Sequence, residues 1–244
     1  MSGHSHARTV RHQKNITDQK RGQMFSKMAR VISIAVKEGG PNPETNTKLK
    51  VAIEQAKGFN LPKENIERAI KQATGGAEGV NLEEVLFEAY GPGGIAIIIE
   101  GITDNKNRIL GEIKQIFNQN NGKLAGSGSV KWMFERKGCL EVQTGKGRYK
   151  DRKKEDLELL VIEAGAEDIY WHNDLLDVYT KPEELEKVKK NLEAKGIHTE
   201  STTLDWVAKE QVELDEKNKE ACQKLFEALD ENDAVQEIYS TLKI

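Results

Sequence analysis

The first thirty residues are rich in side chains that bind phosphate. Seven of them are basic, whereas Asp18 is the one acidic residue. Lysine and arginine gain affinity for nucleic acid by releasing condensed counterions, and nearby histidines add donors that charge below neutral pH. The segment therefore predicts contacts with nucleic-acid phosphates, and a solvated chain terminus is the alternative. The predicted contact residues are His4, Arg8, Arg11, His12, Lys14, Lys20, Arg21, Lys27 and Arg30.

Two further polar segments are candidates for a second contact. Asn105, Asn107 and Arg108 lie between a predicted strand and a predicted helix. Asp104 or Asn105 could cap the helix, which explains these two residues, whereas Asn107 and Arg108 need another reason, either an interdomain contact or a ligand. The loop after residue 144 has a second basic cluster that includes Lys146 and Arg148. A solvated loop and a phosphate contact account for this cluster equally well.

The sequence shows no enzyme signature. Cys139 and Cys222 are far apart and lack CxxC spacing, which excludes a disulfide scaffold and a cysteine-based zinc site and favours a reducing compartment. The histidines near the start of the chain have no framework to fix the geometry of metal ligands. The glycine-rich segments 91–94, 126–129 and 144–147 lack the Lys-Ser/Thr of a phosphate-binding loop. We therefore expect no catalytic residue, metal, cofactor or small-molecule substrate.

Charge is divided unevenly along the chain, whose formal net charge is −3. Residues 1–72 have 14 basic and 6 acidic side chains, and the remainder has 23 basic and 34 acidic ones. The net charges are thus +8 and −11, so that repulsion from the acidic part would turn the basic part toward a nucleic acid. No apolar run approaches the ~20 residues of a membrane helix, and no secretory signal is recognisable. These features predict a cytoplasmic protein with no membrane partner.

The spacing of apolar residues predicts a multi-domain α+β protein. Helical spacing over residues 17–37 and 44–57, and in a third helix that begins near Pro62, predicts an N-terminal helical domain. Strands follow from Val85, and the run 95–102 is apolar enough for a central strand. Further strands are expected at 129–134, 197–204, 211–214 and 235–239.

The order of elements after Lys137 is strand, helix, strand, strand, helix, strand, which is that of a ferredoxin-like unit. The elements after this unit are too few to fold alone, so we expect them to complete the sheet that begins at Val85. The predicted domains are a basic arm with a helical domain (1–78), a discontinuous α/β domain (79–135 and 207–244) and an inserted ferredoxin-like domain (136–206).

Seven short motifs in order resemble those of one family. They are MSGHS (1–5), KRG (20–22), LP with NIERAI (61–62 and 65–70), YGPGG (90–94), TDNKNR (103–108), NG with GSVKW (121–122 and 128–132) and EAGAED (163–168). The chain thus resembles the YebC/PmpR family, which includes the mitochondrial translational activator of cytochrome oxidase. It differs from the usual family pattern at His6-Ala7, where Lys-Trp is common.

The resemblance implies the same three-domain arrangement and a regulator of gene expression without catalytic activity. Bacterial relatives are described as DNA-binding transcriptional regulators, which implies DNA as the partner. Other relatives look like ribosome-associated translation factors, which implies ribosomal RNA and relief of stalled peptide-bond formation as the alternative. A protein–protein adaptor is a further alternative. From the residues alone, a basic arm before a compact helical domain slightly favours structured RNA, since the break at 39–43 is longer than a helix-turn-helix turn.

Overall fold

The computed structural model describes residues 18–75, 81–144, 153–172 and 174–243. These residues form two compact units. The inserted unit is Phe134–Glu210, and the discontinuous unit consists of the described residues before Phe134 and after Glu210. Each unit contains helices and an antiparallel sheet, so the predicted α+β class is confirmed. The three domain boundaries given above stay a prediction.

The discontinuous unit begins with three helices, α1 (Asp18–Gly39), α2 (Thr47–Gly58) and α3 (Lys63–Thr74). Their apolar faces share one core, in which Ile32 of α1 and Leu49 of α2 are fully buried. Asn46 joins the first two helices. Its side-chain oxygen accepts from the Leu49 N–H at 3.0 Å, and its amide donates to the Ala35 carbonyl at 2.7 Å. This cap explains why α2 begins at Thr47, three residues later than the periodicity predicts.

The elements that follow in this unit are β1 (Glu83–Tyr90), β2 (Ala96–Thr103), α4 (Lys106–Gln119), β3 (Lys123–Ala125), α7 (Glu216–Asp230) and β8 (Val235–Ser240). The strands form one sheet in the order β3-β1-β2-β8. Every pairing is antiparallel, and the core helices α4 and α7 contribute Ile113, Phe117, Leu225 and Phe226 to its packing. The strand β2 is almost wholly buried, as expected of a central strand. The last strand pairs with β2, so the end of the chain completes the sheet as predicted.

The inserted unit has the predicted ferredoxin-like order of elements, which are β4 (Phe134–Gln143), α5 (Lys154–Ala164), β5 (Asp168–His172), β6 (Leu175–Thr180), α6 (Leu185–Ala194) and β7 (Ser201–Ala208). Its strands are arranged β5-β6-β4-β7. Its two helices cover one face of the sheet and bury a core that includes Val161 and Leu192. On the strand β4, Gly138 has no room for a side chain, because a Cβ there would lie 2.5 Å from Thr180 Oγ1.

Three predicted strands differ from the structure. Residues 129–134 form a turn and the 3-10 helix Lys131–Met133 before β4 begins at Phe134. The last strand of the inserted unit is Ser201–Ala208, because Ile197 instead closes the end of α6 through its N–H bond to the Leu192 carbonyl. At 211–214 the structure has only an isolated bridge between Val212 and Leu242 among the described residues.

Candidate nucleic-acid interface

The structure tests the accessibility of only part of the predicted contact set. His4, Arg8, Arg11, His12 and Lys14, together with Lys146 and Arg148, lie outside the described residues. Lys20 and Arg21 are exposed in the first turn of α1. Both are accessible at the start of this helix, and they stay predicted phosphate contacts.

Lys27 must be removed from the predicted set. Its side chain is 5% exposed, and its Nζ lies 2.7 Å from Asp230 Oδ1 and 2.8 Å from the Asp230 carbonyl oxygen. Asp230 is the last residue of α7, where the helix dipole also favours a cation. Lys27 therefore binds the C-terminus of α7 and has no ammonium available for phosphate.

Arg30 lies half-buried one turn further along α1. Its Nη1 donates to the Ile102 carbonyl at 3.1 Å, near the end of β2. The residue lines a cleft of about 600 Å³ between α1, the end of α3 and the residues after β2. The polar lining includes two cations, Arg30 and Lys37, and one carboxylate, Asp104. The cleft brings the first basic helix next to the predicted polar junction.

The polar junction itself has two different roles. Asn105 caps α4, since its side-chain oxygen accepts from the Arg108 N–H at 3.0 Å. The Arg108 guanidinium forms ion pairs with Asp104 and Glu112, all on exposed or half-exposed side chains. The Asn107 side chain is exposed and forms no hydrogen bond with the described residues. Capping thus explains Asn105 as predicted, while Asn107 and Arg108 remain candidates for a contact with a partner.

Four cations on α2 and α3 were missed by the sequence analysis as individual candidates. Lys50 and Lys57 are seven residues apart on α2, and Arg68 and Lys71 are three apart on α3, spacings that place each pair on one side of its helix. All four are exposed, and none is within ion-pair distance of a carboxylate among the described residues. They are available for phosphate contacts. Their net-charge contribution was visible in the sequence, but their exposure was not.

A buried carboxylate organises the turn between β3 and β4. Glu88 is 3% exposed, and it accepts three backbone N–H bonds, from Gly128 at 2.6 Å, Val130 at 2.7 Å and Lys131 at 2.8 Å. Burial raises the pKa of Glu88, but these three bonds and the Lys131 charge outweigh it, so that the pKa lies below its ordinary value. Glu88 therefore holds this turn as an anion at neutral pH.

The described ranges show no arrangement typical of catalysis or metal binding. No cluster of three or more His, Cys, Asp or Glu side chains in these ranges could hold a metal ion. Both cysteines are buried and are not joined in a disulfide, and burial raises the pKa of Cys222 to about 11, so this thiol is protonated at neutral pH. Among the described helices, none has the length and apolar character needed to cross a membrane.

Comparison with known proteins gives the family. A family model described as the TACO1/YebC protein N-terminal domain matches residues 5–76, and one described as the TACO1/YebC second and third domain matches residues 82–242. The chain belongs to the TACO1/YebC family. A relative from Persephonella marina is 46% identical over 100% of this chain and 96% of its own length, and one from Thermotoga maritima is 43% identical over 100% and 94%.

Both of these TACO1/YebC relatives are named probable transcriptional regulatory proteins. A crystal structure of a conserved hypothetical protein from Aquifex aeolicus is similar as well, with a TM-score of 0.86 and 43% identity over 96% of this chain and 95% of that one. The predicted family resemblance is thereby confirmed. The names of the relatives support a regulatory role for members of this family.

Proposed function

We propose that this protein is a non-enzymatic regulator of gene expression that binds nucleic acid through its basic N-terminal segment and the three helices that follow. The observation that supports this proposal is the division of charge, +8 over residues 1–72 and −11 over the rest. An excess of cations on one part of the chain provides the sequence-independent affinity that nucleic-acid binding requires.

Exposed cations of α2 and α3 are the proposed phosphate contacts in the described part of the chain. Lys50, Lys57, Arg68 and Lys71 are accessible and are not neutralised by ion pairs with described carboxylates. Other exposed lysines, among them Lys48 and Lys63 on the same two helices and Lys106 on α4, are paired with glutamates. Each phosphate neutralised by an accessible cation releases about one counterion, which makes such contacts measurable through the salt dependence of binding.

Duplex DNA is the first candidate target. The connection between α2, which ends at Gly58, and α3, which begins at Lys63, is four residues long. This is the length of the turn in helix-turn-helix motifs, whose second helix enters the major groove. With α3 as that helix, Arg68 and Lys71 would contact the DNA backbone. The names of the relatives also favour transcription.

Ribosomal RNA is the second candidate target. The predicted contact set has a basic segment ahead of the helices, and a structured RNA is recognised mainly by its backbone and shape. A ribosome-bound factor of this kind would act on translation instead of transcription, and relief of stalled peptide-bond formation would be its activity. A protein adaptor, the remaining alternative, requires no phosphate contacts and predicts binding that changes little with salt.

Competition binding with the full-length protein tests these alternatives. We would measure its affinity for purified ribosomes and for duplex DNA of varied sequence at about 0.15 M salt, where bulk electrostatics are partly screened. Preference for one DNA sequence by about 10³-fold or more indicates a transcriptional regulator. Preference for ribosomes at limiting concentration indicates a translation factor. Binding to neither, with capture of a protein partner that is insensitive to salt, would contradict nucleic-acid binding.

Two sets of substitutions locate the contacts. Neutralising Arg8, Arg11 and Lys14 together is expected to make the negative slope of log K against log salt shallower by ~2–3. The double variant R68A/K71A is expected to make this slope shallower by ~1.8 on duplex DNA. A matched control removes the same charge from the acidic part of the chain, at two exposed lysines, Lys190 and Lys224. An unchanged slope in either set would remove that set from the interface.

A further inference from the structure

Two partly exposed aromatic rings are fixed to the same backbone oxygen in the discontinuous unit. Trp132 is 67% exposed, and its Nε1 donates to the Ser129 carbonyl at 3.0 Å. Tyr90 is 38% exposed, and its hydroxyl donates to the same carbonyl at 3.2 Å. A side chain as large and apolar as tryptophan is usually buried, so the exposure of Trp132 beside Tyr90 calls for an explanation.

The turn that presents Trp132 is built to hold its shape. Three of its backbone N–H groups donate to the buried Glu88 carboxylate. Gly128 has a φ of +82°, a left-handed conformation that other residues rarely adopt. The aromatic ring is therefore presented by a preorganised backbone, which lowers the entropic cost of binding a partner.

The surroundings of the two rings favour an anion over an apolar surface. Between Ile113 and Phe134 the chain contains three lysines, at 114, 123 and 131, and no acidic residue, although the remainder of the chain after residue 72 is strongly acidic. Lys123 is exposed and lies opposite Tyr90 in the pairing of β1 with β3. Residues 126–128 of the turn are exposed glycines and a serine, which offer little apolar area to a protein partner.

We propose that Tyr90 and Trp132 form a stacking site for an unpaired nucleobase, with Lys123 and Lys131 facing the adjacent phosphates. Single-stranded nucleic acid is bound elsewhere by this combination, in which aromatic faces stack on bases and cations follow the backbone. The inference rests on the proposed nucleic-acid binding and assigns it a second surface, outside the basic N-terminal segment. The ligand class is a single-stranded region of RNA or DNA.

Fluorescence titration of the full-length protein with a 20-nucleotide oligouridylate tests this site. Of the three tryptophans in the chain, Trp132 is the most exposed, so base stacking should quench its emission. The quenching is expected in the wild type and not in W132F. W132A is expected to bind the oligonucleotide about 5- to 150-fold more weakly, since stacking on one base is worth that much in other proteins, and W132F is expected to retain most of the affinity.

Salt dependence and a matched control separate stacking from charge. W132A is expected to keep the wild-type slope of log K against log salt. K123A/K131A is expected to make this negative slope shallower by ~1.4 on a single strand. The control is L110A, which removes another exposed apolar side chain, 42% exposed on α4 of the same unit. We expect L110A to bind like the wild type.

Several results would overturn the stacking site. Two results together would exclude stacking while leaving the proposed nucleic-acid binding intact: W132A binds with wild-type affinity, and the Trp132 emission of the wild type is not quenched. Binding of duplex DNA or ribosomes without any binding of the oligonucleotide would do the same. If W132A bound the oligonucleotide normally but lost association with ribosomes, Trp132 would contact the ribosome in a way other than stacking on an unpaired base. If the wild type bound no nucleic acid, both proposals would fail together.

Discussion

The strongest stability prediction concerns Glu88, whose carboxylate accepts three backbone N–H groups. Gly128 N lies 2.6 Å from Oε1, and the nitrogens of Val130 and Lys131 lie 2.7 and 2.8 Å from Oε2. The amide of an E88Q variant has one acceptor oxygen, so at least one buried N–H would face the amide NH₂, and the other bonds would lose their charge assistance. A buried donor without a partner costs about 1–3 kcal/mol, and bonds to a charged acceptor are worth about 1 kcal/mol more than neutral ones.

These contributions predict that E88Q loses about 2–4 kcal/mol of unfolding free energy. At about 2–4 °C per kcal/mol for a unit of this size, the melting temperature should fall by about 5–15 °C. Thermal unfolding followed by calorimetry at pH 7 measures the difference. E84Q is the matched control, because Glu84 is on the same strand and exposed, and such surface changes usually stay within about 0.5 kcal/mol.

The pH dependence of this effect has a fixed sign. The folded-state pKa of Glu88 is lowered, since burial raises it less than the three N–H bonds and the Lys131 charge lower it. The stabilisation is therefore fully present above the unfolded-state pKa of about 4.3 and is lost as the pH falls through the folded-state value. The gap between wild type and E88Q should be constant near neutrality and shrink below about pH 4. Equal melting temperatures at pH 7, or a gap that is as large at pH 3, would refute this account.

Three other substitutions test the structure at separate places. Lys27→Met should lower the unfolding free energy by about 1–3 kcal/mol, because it leaves the Asp230 carboxylate without its buried partner, and an unchanged urea midpoint would contradict the ion pair. Gly138→Ala should cost about 1–3 kcal/mol, since a Cβ there would lie 2.5 Å from a threonine hydroxyl of β6; a neutral effect in thermal unfolding would mean that the strand can shift. Alanine at both Asn107 and Arg108 should leave the melting temperature nearly unchanged, as exposed ion pairs contribute about 0–1 kcal/mol, while weakening nucleic-acid binding. A large loss of stability in that double variant would instead indicate a structural role.

Local patterns in the sequence predicted most of the helices and strands. The apolar spacing of α1 and α2 located both helices, because each buries one continuous stripe in a shared core. The order of elements from Lys137 predicted the ferredoxin-like unit, and the shortage of partners for the last strand predicted its return to the sheet that begins at Val85, where it pairs with β2. These inferences succeed where burial follows the period of the backbone.

Residues 129–134 show where the same reasoning fails. Val130, Trp132 and Phe134 alternate with other residues in the way that predicts a strand. The N–H groups of Val130 and Lys131 are instead bound by the Glu88 carboxylate, which is more than forty residues away in the chain. A hydrogen-bond acceptor from a distant part of the chain thus takes the place of the neighbouring strand that the periodicity implied. No local sequence pattern indicates this contact.

For the candidate interface too, some properties follow from the sequence and others only from the fold. The sequence by itself determined that the N-terminal part of the chain has a surplus of cations, that the family is TACO1/YebC, and that helix capping explains Asn105. Only the tertiary structure decided which cations are accessible. Lys27 and Arg21 lie on the same helix and have the same charge, yet Lys27 is buried against Asp230, 203 residues further along the chain, whereas Arg21 is exposed. Charge is a property of the residue, but whether a charged group is accessible depends on which distant groups the fold places beside it. The exposure of Trp132 is likewise decided by the fold and not by its residue type.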